Sequence, residues 1–219
     1  MAQKKAALLD VDGTLLDSND AHAQAWVEAF AQLGHDVPFA RVRELIGKGG
    51  DKLLPETIGV EKDSALGEDI SKRRSAIFKK TYLPQLRAFP GARELLEALK
   101  ARGVKLVVAT SAQKDELGAL LKQADLSDLI EEAATSSDAE DSKPDPDIVM
   151  AALRAAGCAP REAVMLGDTP YDVEAATKAG VSAIALRCGG WDDEALQGAL
   201  AIFDDPRDLL RKLEASPFG

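Results

Sequence analysis

Long apolar runs, cysteine and positive charge are all scarce in this sequence of 219 residues. No continuous apolar stretch approaches the roughly 20 residues that a membrane-spanning helix needs. Near the start, two lysines are followed by only four apolar residues, which is too short for a secretory signal. We therefore expect a soluble, cytoplasmic protein with no membrane partner.

The two cysteines, Cys158 and Cys188, lie far apart and without metal-ligand spacing, so they predict neither a zinc site nor a disulfide framework. Both are expected to be small buried hydrophobic residues. The net charge of −10 argues against nucleic acid as a partner, because nucleic acids are bound through clustered Lys and Arg. An anionic substrate would need a metal and a few well-placed cations to offset its charge locally.

The stretch that carries most information is residues 6–15, where a short apolar run ends in two carboxylates. Residues 6–9 have the length and composition of a strand buried on both faces, and Asp10 follows at its carboxyl end. Open α/β sheets bind their ligands at that edge. Side chains in extended backbone repeat every two residues, so Asp10 and Asp12 should project to one side. Their mutual repulsion predicts a bound cation.

Helical patterns occupy the next part of the chain. A periodic apolar stretch predicts a helix over about 20–33, with N-cap candidates at 17–20 and Gly34 as the C-cap. Two shorter helices are predicted within 39–58, on either side of a glycine-rich turn, and a longer helix over 63–83. Consecutive helices without an intervening strand predict a separate helical cap domain, residues 16–87.

From residue 88 onward, strands and helices alternate. Strands are predicted near 104–109, 129–134, 163–166 and 182–186, and helices near 91–102, 113–124, 146–156, 171–179 and after Pro206. This alternation predicts a doubly wound parallel, Rossmann-like α/β sheet, which the first strand most simply joins. The predicted core domain is therefore 1–15 together with 88–219, and the helical segment is an insertion into it.

Polar residues follow three of these apolar strands: Asp10, Thr110 and Asp168. Because the carboxyl ends of parallel strands share one edge of the sheet, these residues should converge. Asp172 follows Asp168 early in the next helix, and Lys143 lies in a proline-stiffened loop ahead of another helix. Carboxylates, a hydroxyl and one lysine are suited to phosphoryl transfer through an aspartyl phosphate.

Four motifs in order make the chain resemble the haloacid dehalogenase superfamily, in the branch of the phosphoglycolate phosphatases and β-phosphoglucomutases with a helical cap. They are Asp10-Val11-Asp12-Gly13-Thr14-Leu15, Val107-Val108-Ala109-Thr110, Lys143-Pro144 and Gly167-Asp168-Thr169-Pro170-Tyr171-Asp172. The resemblance covers nearly the whole chain. It implies a Mg²⁺-dependent phosphatase that acts on a small phosphorylated metabolite, as a monomer or weak homodimer.

The resemblance also implies roles for individual residues. Asp10 would be the nucleophile, and Asp12 would donate a proton to the leaving oxygen and then accept one from the attacking water. Asp10, the backbone carbonyl of Asp12 and Asp168 would bind Mg²⁺. Asp172 would act one layer outside the metal, while Thr110, Ser111 and Lys143 would hold and neutralise the phosphate.

The cap residues are less specific. His22 lies on the apolar face of its helix, where a hydrogen-bonded core histidine is an alternative to a substrate contact. The turn that contains Lys48, Gly49 and Gly50 is either a plain interhelical loop or a segment that closes over a small ligand. One of Arg73 and Arg74 interrupts an apolar stripe and either reaches solvent or meets a substrate carboxylate, for which Arg74 is the candidate.

Other activities use similar residues. A phosphomutase of the β-phosphoglucomutase type would have the same four motifs and differ only in the acceptor of the phosphoryl group. Dehalogenation is disfavoured because it has no need of Asp12, and phosphonate cleavage would need a cap lysine, for which Lys48 is the one candidate. A protein whose interactions are controlled by an aspartyl phosphate is the alternative outside enzymology, although it would gain nothing obvious from a helical cap.

Overall fold

A computed structural model describes residues 4–219, and its centre is one sheet of six parallel strands. The strands are β1 (Ala6–Leu9), β2 (Lys105–Ala109), β3 (Glu132–Ala134), β4 (Ala163–Gly167), β5 (Ser182–Leu186) and β6 (Ala201–Phe203). Their spatial order is β3-β2-β1-β4-β5-β6. The first strand thus lies in the middle of the sheet, and the predicted doubly wound α/β fold is confirmed.

The register of the central strands determines where the site lies. Leu9 is aligned with Val108 of β2 and with Leu166 of β4. The three strands therefore end nearly level, and the residues that follow them emerge at the same edge. Burial on both faces explains why these strands have continuous apolar sequences rather than alternating ones.

Four helices lie between β1 and β2 in the chain: α1 (Asn19–Gln32), α2 (Phe39–Arg43), α3 (Gly50–Ile58) and α4 (Ala65–Ile77). The two faces of the sheet are covered by α5 (Ala92–Ala101), α6 (Lys114–Gln123), α7 (Asp147–Ala156), α8 (Pro170–Lys178) and α9 (Pro206–Arg211). Alternate residues of β1 serve the two faces: Ala7 and Leu9 pack in the core cluster that includes α5, α6 and α9. Ala6 and Leu8 pack with α7 and α8 on the other face.

The helices α1 to α4 lie between β1 and β2 in the chain and bury a hydrophobic cluster of their own. Its members come from that segment alone, with Trp26, Phe30 and Ile70 among them. We propose the predicted domain division, 16–87 as the cap and 1–15 with 88–219 as the core, on the basis of this separate cluster. None of the helices within residues 4–219 is long and apolar enough to cross a membrane.

Three local predictions differ from the structure. The helix predicted over 63–83 ends at Ile77, and a π-helical turn (Phe78–Tyr82) and a 3₁₀ turn (Leu83–Gln85) follow it. The strand β6 was not predicted, because three residues are too few to show a periodic pattern. Cys158 and Cys188 are both partly exposed rather than fully buried, so the expectation for the cysteines was wrong.

Candidate active site

Three predicted residues meet at the carboxyl edge of the sheet. Asp10 follows β1, Thr110 follows β2 and Asp168 follows β4, and all three are buried. The amide of Asp10 donates to the carbonyl of Leu166 at 2.9 Å, which continues the β1–β4 pairing one residue past the strand. The backbone of the sheet therefore holds Asp10 beside Asp168.

A buried lysine joins this group from the loop ahead of α7. The side chain of Lys143 is 1% exposed, and its Nζ lies 2.5 Å from Asp10 Oδ1 and 2.7 Å from Asp172 Oδ1. Burial alone would lower the pKa of Lys143, but Asp10 and Asp172 outweigh burial and raise the pKa above its ordinary value. The lysine is therefore a permanent cation, which a buried site tolerates because two carboxylates contact it.

Asp168 and Asp172 are held by different neighbours. Thr14 Oγ1 donates to Asp168 Oδ1 at 2.7 Å, and Asn19 Nδ2 donates to Asp168 Oδ2 at 2.9 Å. Asp172 Oδ2 accepts from the amide and hydroxyl of Thr169 at 3.1 and 2.7 Å, while its Oδ1 faces Lys143. Asp172 therefore contacts protein groups through both oxygens, with Thr169 at one and Lys143 at the other.

Negative charge exceeds positive charge in this cluster. Burial raises the pKa of Asp10 well above its ordinary value, and repulsion from Asp172, Asp168 and Asp12 adds to the effect against the opposing charge of Lys143. Burial, together with repulsion from Asp172, also raises the pKa of Asp168 to about 7. The cluster is therefore short of one or more positive charges.

A divalent cation fits this deficit. Asp10, Asp168 and Asp172 are buried, and each can offer a carboxylate oxygen within 4.8 Å of the others. Oxygen donors of this kind are the ligands that Mg²⁺ prefers. Glycine at 189 makes room for the arrangement, since a Cβ there would collide with the Asp168 carboxylate.

Asp12 points away from this cluster and into a second set of contacts. Its Oδ1 accepts from Ser18 Oγ at 2.5 Å and lies 2.7 Å from His22 Nε2. Burial raises the pKa of Asp12, but the contact with His22, the Ser18 hydrogen bond and the charge of Arg74 outweigh it and lower the pKa. Ser18 occupies the N-cap position of α1, yet its hydroxyl bonds Asp12 and caps no helix amide.

His22 is enclosed by protein groups. Its ring stacks on Phe78 with the ring centroids 4.0 Å apart, and its Nδ1 is hydrogen-bonded to Arg74 Nη2. With Nε2 on Asp12, both ring nitrogens contact protein groups, as in the hydrogen-bonded core histidine that was one of the two sequence-based alternatives. The Arg74 guanidinium in turn forms a two-oxygen contact with Glu116, at 2.9 and 2.8 Å from Nη1.

Sequence reasoning missed three residues of the site. Thr14 lies inside the first motif and Asn19 among the N-cap candidates, so their presence was visible but their contact with Asp168 was not. Glu116 follows the second motif by six residues and has no local signal that separates it from a solvated acid. Its burial, at 5% exposed, is a consequence of the packing between cap and core.

A cavity of about 120 Å³ lies between the cap and the carboxylates of Asp10 and Asp12. Asp10, Asp12 and Thr110 line its floor, and the other predicted residues that border it are His22, Lys48, Gly49, Gly50, Arg74 and Ser111. Lys48 Nζ is 2.7 Å from Glu56 Oε1, and the Gly49 amide donates to Ser142 Oγ at 2.9 Å. The glycine-rich turn therefore borders the cavity and is held by contacts with neighbouring protein groups.

Comparison with known proteins agrees with this geometry. A family model described as haloacid dehalogenase-like hydrolase matches residues 7–186. The chain is 32% identical over 210 residues to a phosphoglycolate phosphatase of Rhodospirillum rubrum, covering 92% of this chain and 87% of that protein. It is 34% identical over 189 residues to SUPPRESSOR OF QUENCHING 1, chloroplastic, of Arabidopsis thaliana, covering 83% of this chain but only 18% of that protein.

Solved structures show the same likeness. A hydrolase from Pseudomonas syringae is 31% identical with a TM-score of 0.90, and the match covers 97% of this chain and 99% of that one. A protein provisionally named β-phosphoglucomutase from Bacteroides vulgatus is 26% identical with a TM-score of 0.85, covering 97% and 88% of the two chains.

Fold and site together define an α/β protein with a buried carboxylate cluster at the carboxyl edge of its parallel sheet. The chain belongs to the haloacid dehalogenase-like hydrolase family. Its relatives include phosphoglycolate phosphatases and β-phosphoglucomutase-like proteins, so the branch predicted from the four motifs is confirmed. The protein is a phosphatase-type enzyme, and the non-enzymatic alternative is thereby disfavoured.

Proposed function

We propose that this protein hydrolyses a small phosphorylated metabolite, of the phosphoglycolate or sugar-phosphate type, through an aspartyl phosphate on Asp10. The observation that carries the proposal is the 2.5 Å contact between Asp10 Oδ1 and the buried Lys143 Nζ, in a cluster with two further carboxylates. A lysine in this position orients the nucleophile and offsets the charge of an incoming phosphate.

The two aspartates of the first motif divide the chemistry. A carboxylate oxygen of Asp10 attacks phosphorus, a new O–P bond forms, and the bond from phosphorus to the leaving oxygen breaks as Asp12 transfers a proton to that oxygen. A water oxygen then attacks the same phosphorus, Asp12 takes up a proton from the water, and the Asp10–phosphorus bond breaks to release inorganic phosphate.

The contacts of Asp12 leave one of its oxygens for this proton transfer. Because Ser18 and His22 both engage Oδ1, the second oxygen, Oδ2, remains to exchange a proton with a ligand in the cavity that Asp12 lines. Thr110 Oγ1 accepts from the Ala112 amide at 3.1 Å, so its hydroxyl hydrogen is available to a phosphate oxygen. We propose Thr110 and Ser111 as the phosphate-binding pair on these grounds.

We propose Mg²⁺ as the cofactor, held by Asp10, Asp168 and the backbone carbonyl of Asp12. The excess of buried negative charge and the oxygen-only donor set support this choice. When bound, the ion would supply positive charge to the phosphate oxygens and the nucleophile. Removal of Mg²⁺ with EDTA should abolish phosphate release, and added Mg²⁺ should restore it.

Cavity size supports a small leaving group. A volume of about 120 Å³ is well below the roughly 300–1,000 Å³ of pockets that hold drug-sized ligands. Contact between Arg74 and a substrate carboxylate is less favourable than its sequence position predicts, because Glu116 already neutralises the guanidinium. The cavity also borders Lys62, which is half-buried, and we propose that Lys48, Gly49 and Gly50 of the glycine-rich turn contact the substrate.

The proposal is tested with purified protein, Mg²⁺ and a panel of phosphorylated metabolites that includes phosphoglycolate and hexose phosphates. Release of inorganic phosphate supports hydrolysis, whereas conversion of one sugar phosphate to its isomer would favour the phosphomutase alternative. Asp10→Asn should reduce phosphate release to background, because an amide oxygen is a poor nucleophile and forms no stable acyl phosphate. Asp17→Asn, an exposed change in the same segment, is the matched control. Substantial turnover by Asp10→Asn would refute the assignment of the nucleophile.

A further inference from the structure

Glu116 is a buried carboxylate that the proposed reaction does not use. It lies in the first turn of α6, directly after the segment that carries Thr110, and only 5% of its surface is exposed. Among residues 4–219 its one charged contact is Arg74 of the cap helix α4, whose Nη1 lies 2.9 and 2.8 Å from the two carboxylate oxygens. Burial of a carboxylate is costly, so its contact with Arg74 is what makes this position tolerable.

Arg74 contacts His22 as well as Glu116. Its guanidinium carbon lies 5.5 Å from the Trp26 ring centroid and 5.2 Å from that of Phe78, so two aromatic rings flank it. The rings restrain the guanidinium through its faces, and Glu116 restrains it through Nη1 at the edge. Together these contacts aim Nη2 at His22 Nδ1.

The chemistry of arginine then determines the state of the histidine ring. A guanidinium can only donate hydrogen bonds, so His22 Nδ1 has to be the acceptor in this contact. A ring that accepts at Nδ1 carries its proton on Nε2, and that nitrogen lies 2.7 Å from Asp12 Oδ1. The ring is therefore the neutral tautomer that donates to Asp12.

We propose that Glu116 is a positioning residue for Asp12, acting through Arg74 and His22. By anchoring the guanidinium, Glu116 keeps His22 in the tautomer that holds Asp12 Oδ1, and so leaves Oδ2 oriented toward the leaving oxygen. It links the segment that follows the phosphate-binding residue Thr110 with the proton-transferring residue. The effect on catalysis rests on the proposed function, but the effect of Glu116 on the His22 tautomer does not.

The kinetic test compares two esters that differ in their need for a proton. Phosphoglycolate releases an alkoxide-type oxygen, which requires an acid, whereas p-nitrophenyl phosphate releases a stable phenolate. General acids contribute roughly 10²–10⁴-fold, so Glu116→Gln should lower kcat/KM for phosphoglycolate by about 10- to 100-fold. It should change kcat/KM for p-nitrophenyl phosphate by less than about threefold, because formation of the aspartyl phosphate then needs no proton.

Asp115→Asn is the matched control, because Asp115 also joins α6 to the cap, through a 2.5 Å contact with Lys79, but does not reach His22. It should leave both esters unaffected. Equal losses on both esters for Glu116→Gln would indicate a merely structural role and overturn the proposal, and so would the absence of any loss. If wild-type protein with Mg²⁺ hydrolyses neither ester, the proposed function fails, and the role of Glu116 in catalysis fails with it.

A second readout does not depend on activity. The chain contains two histidines, His22 and His35, so ¹⁵N spectra of the ring nitrogens are simple to assign with a His35→Gln variant. Wild-type His22 should show a protonated Nε2 and an unprotonated Nδ1. In Glu116→Gln we expect a mixture of tautomers. An unchanged Nε2–H signal in that variant would overturn the hold of Glu116 on His22, whatever the esters show.

Discussion

Asp168→Asn should remove a pH-dependent destabilisation of the metal-free protein that develops toward neutral and alkaline pH. The variant removes one charge from a buried cluster in which carboxylates outnumber the single lysine. Burial and repulsion from Asp172 raise the pKa of Asp168 to about 7, although hydrogen bonds from Thr14 and Asn19 act in the opposite direction. Folding at pH 8 therefore forces a charge into a place that disfavours it.

The sign and size follow from linkage. A carboxyl whose pKa is higher in the folded than in the unfolded chain contributes stability that is complete below the unfolded pKa of about 4. That stability is lost as pH rises through the folded value of about 7. At about 1.4 kcal/mol per pKa unit, the wild-type protein should lose roughly 2 to 3 kcal/mol from this group between pH 5 and pH 8.

The asparagine has a cost of its own, which is independent of pH. Its oxygen can still accept from Thr14, but its amide group would face the Asn19 Nδ2 donor, at a cost of roughly 1–3 kcal/mol. Asn19 Oδ1 is buried without a hydrogen-bond partner among the described residues, so rotation of the Asn19 amide would reduce this cost. The quantity to compare is therefore the change with pH of the difference between variant and wild type.

Urea unfolding in EDTA at pH 5 and pH 8 measures that quantity. The free energy of unfolding of the variant relative to wild type should increase by roughly 2 to 3 kcal/mol between the two pH values. The exposed change Asp36→Asn should leave the wild-type pH dependence intact. Excess Mg²⁺ at pH 8 should stabilise the wild type and have little effect on the variant. A difference between variant and wild type that is the same at both pH values would refute the reasoning.

Two further substitutions probe the same site, and a third probes the stability of α6. Lys143→Met leaves Asp10 and Asp172 without their buried cation. It should therefore abolish phosphate release and lower the free energy of unfolding by roughly 3–5 kcal/mol. Activity within tenfold of wild type would contradict this. Gly189→Ala should raise the Mg²⁺ concentration needed for half-maximal activity by at least about tenfold, because the new Cβ displaces the Asp168 carboxylate. An unchanged Mg²⁺ titration would count against this prediction. By contrast, a Cβ added at Gly118 in α6 would meet no neighbouring atom within 4 Å. Gly118→Ala should therefore raise the free energy of unfolding by about 0.5–1 kcal/mol in a urea titration.

The fold was accessible from sequence because its strands are continuous apolar runs that end abruptly. The run at 6–9 ends at Asp10 and the run at 163–166 ends within one residue of Asp168, and the parallel register brings those ends level. The strand β6 gave no such signal, since its three residues owe their extended form to pairing with β5. The long helix predicted over 63–83 was interrupted because Phe78 is buried against the ring of His22, where a π-helical turn takes over.

Local sequence by itself determined the order of strands and helices, the carboxyl edge and the residues that emerge there, because periodicity and strand ends are short-range properties. The contacts of His22, Arg74 and Glu116 were decided by tertiary structure alone. These residues belong to three helices, α1, α4 and α6, that are far apart in the chain, and their contacts depend on how the cap packs against the core. A helical pattern indicates which face of α6 is covered, but it cannot indicate that a cation from another helix will make Glu116 a buried acid.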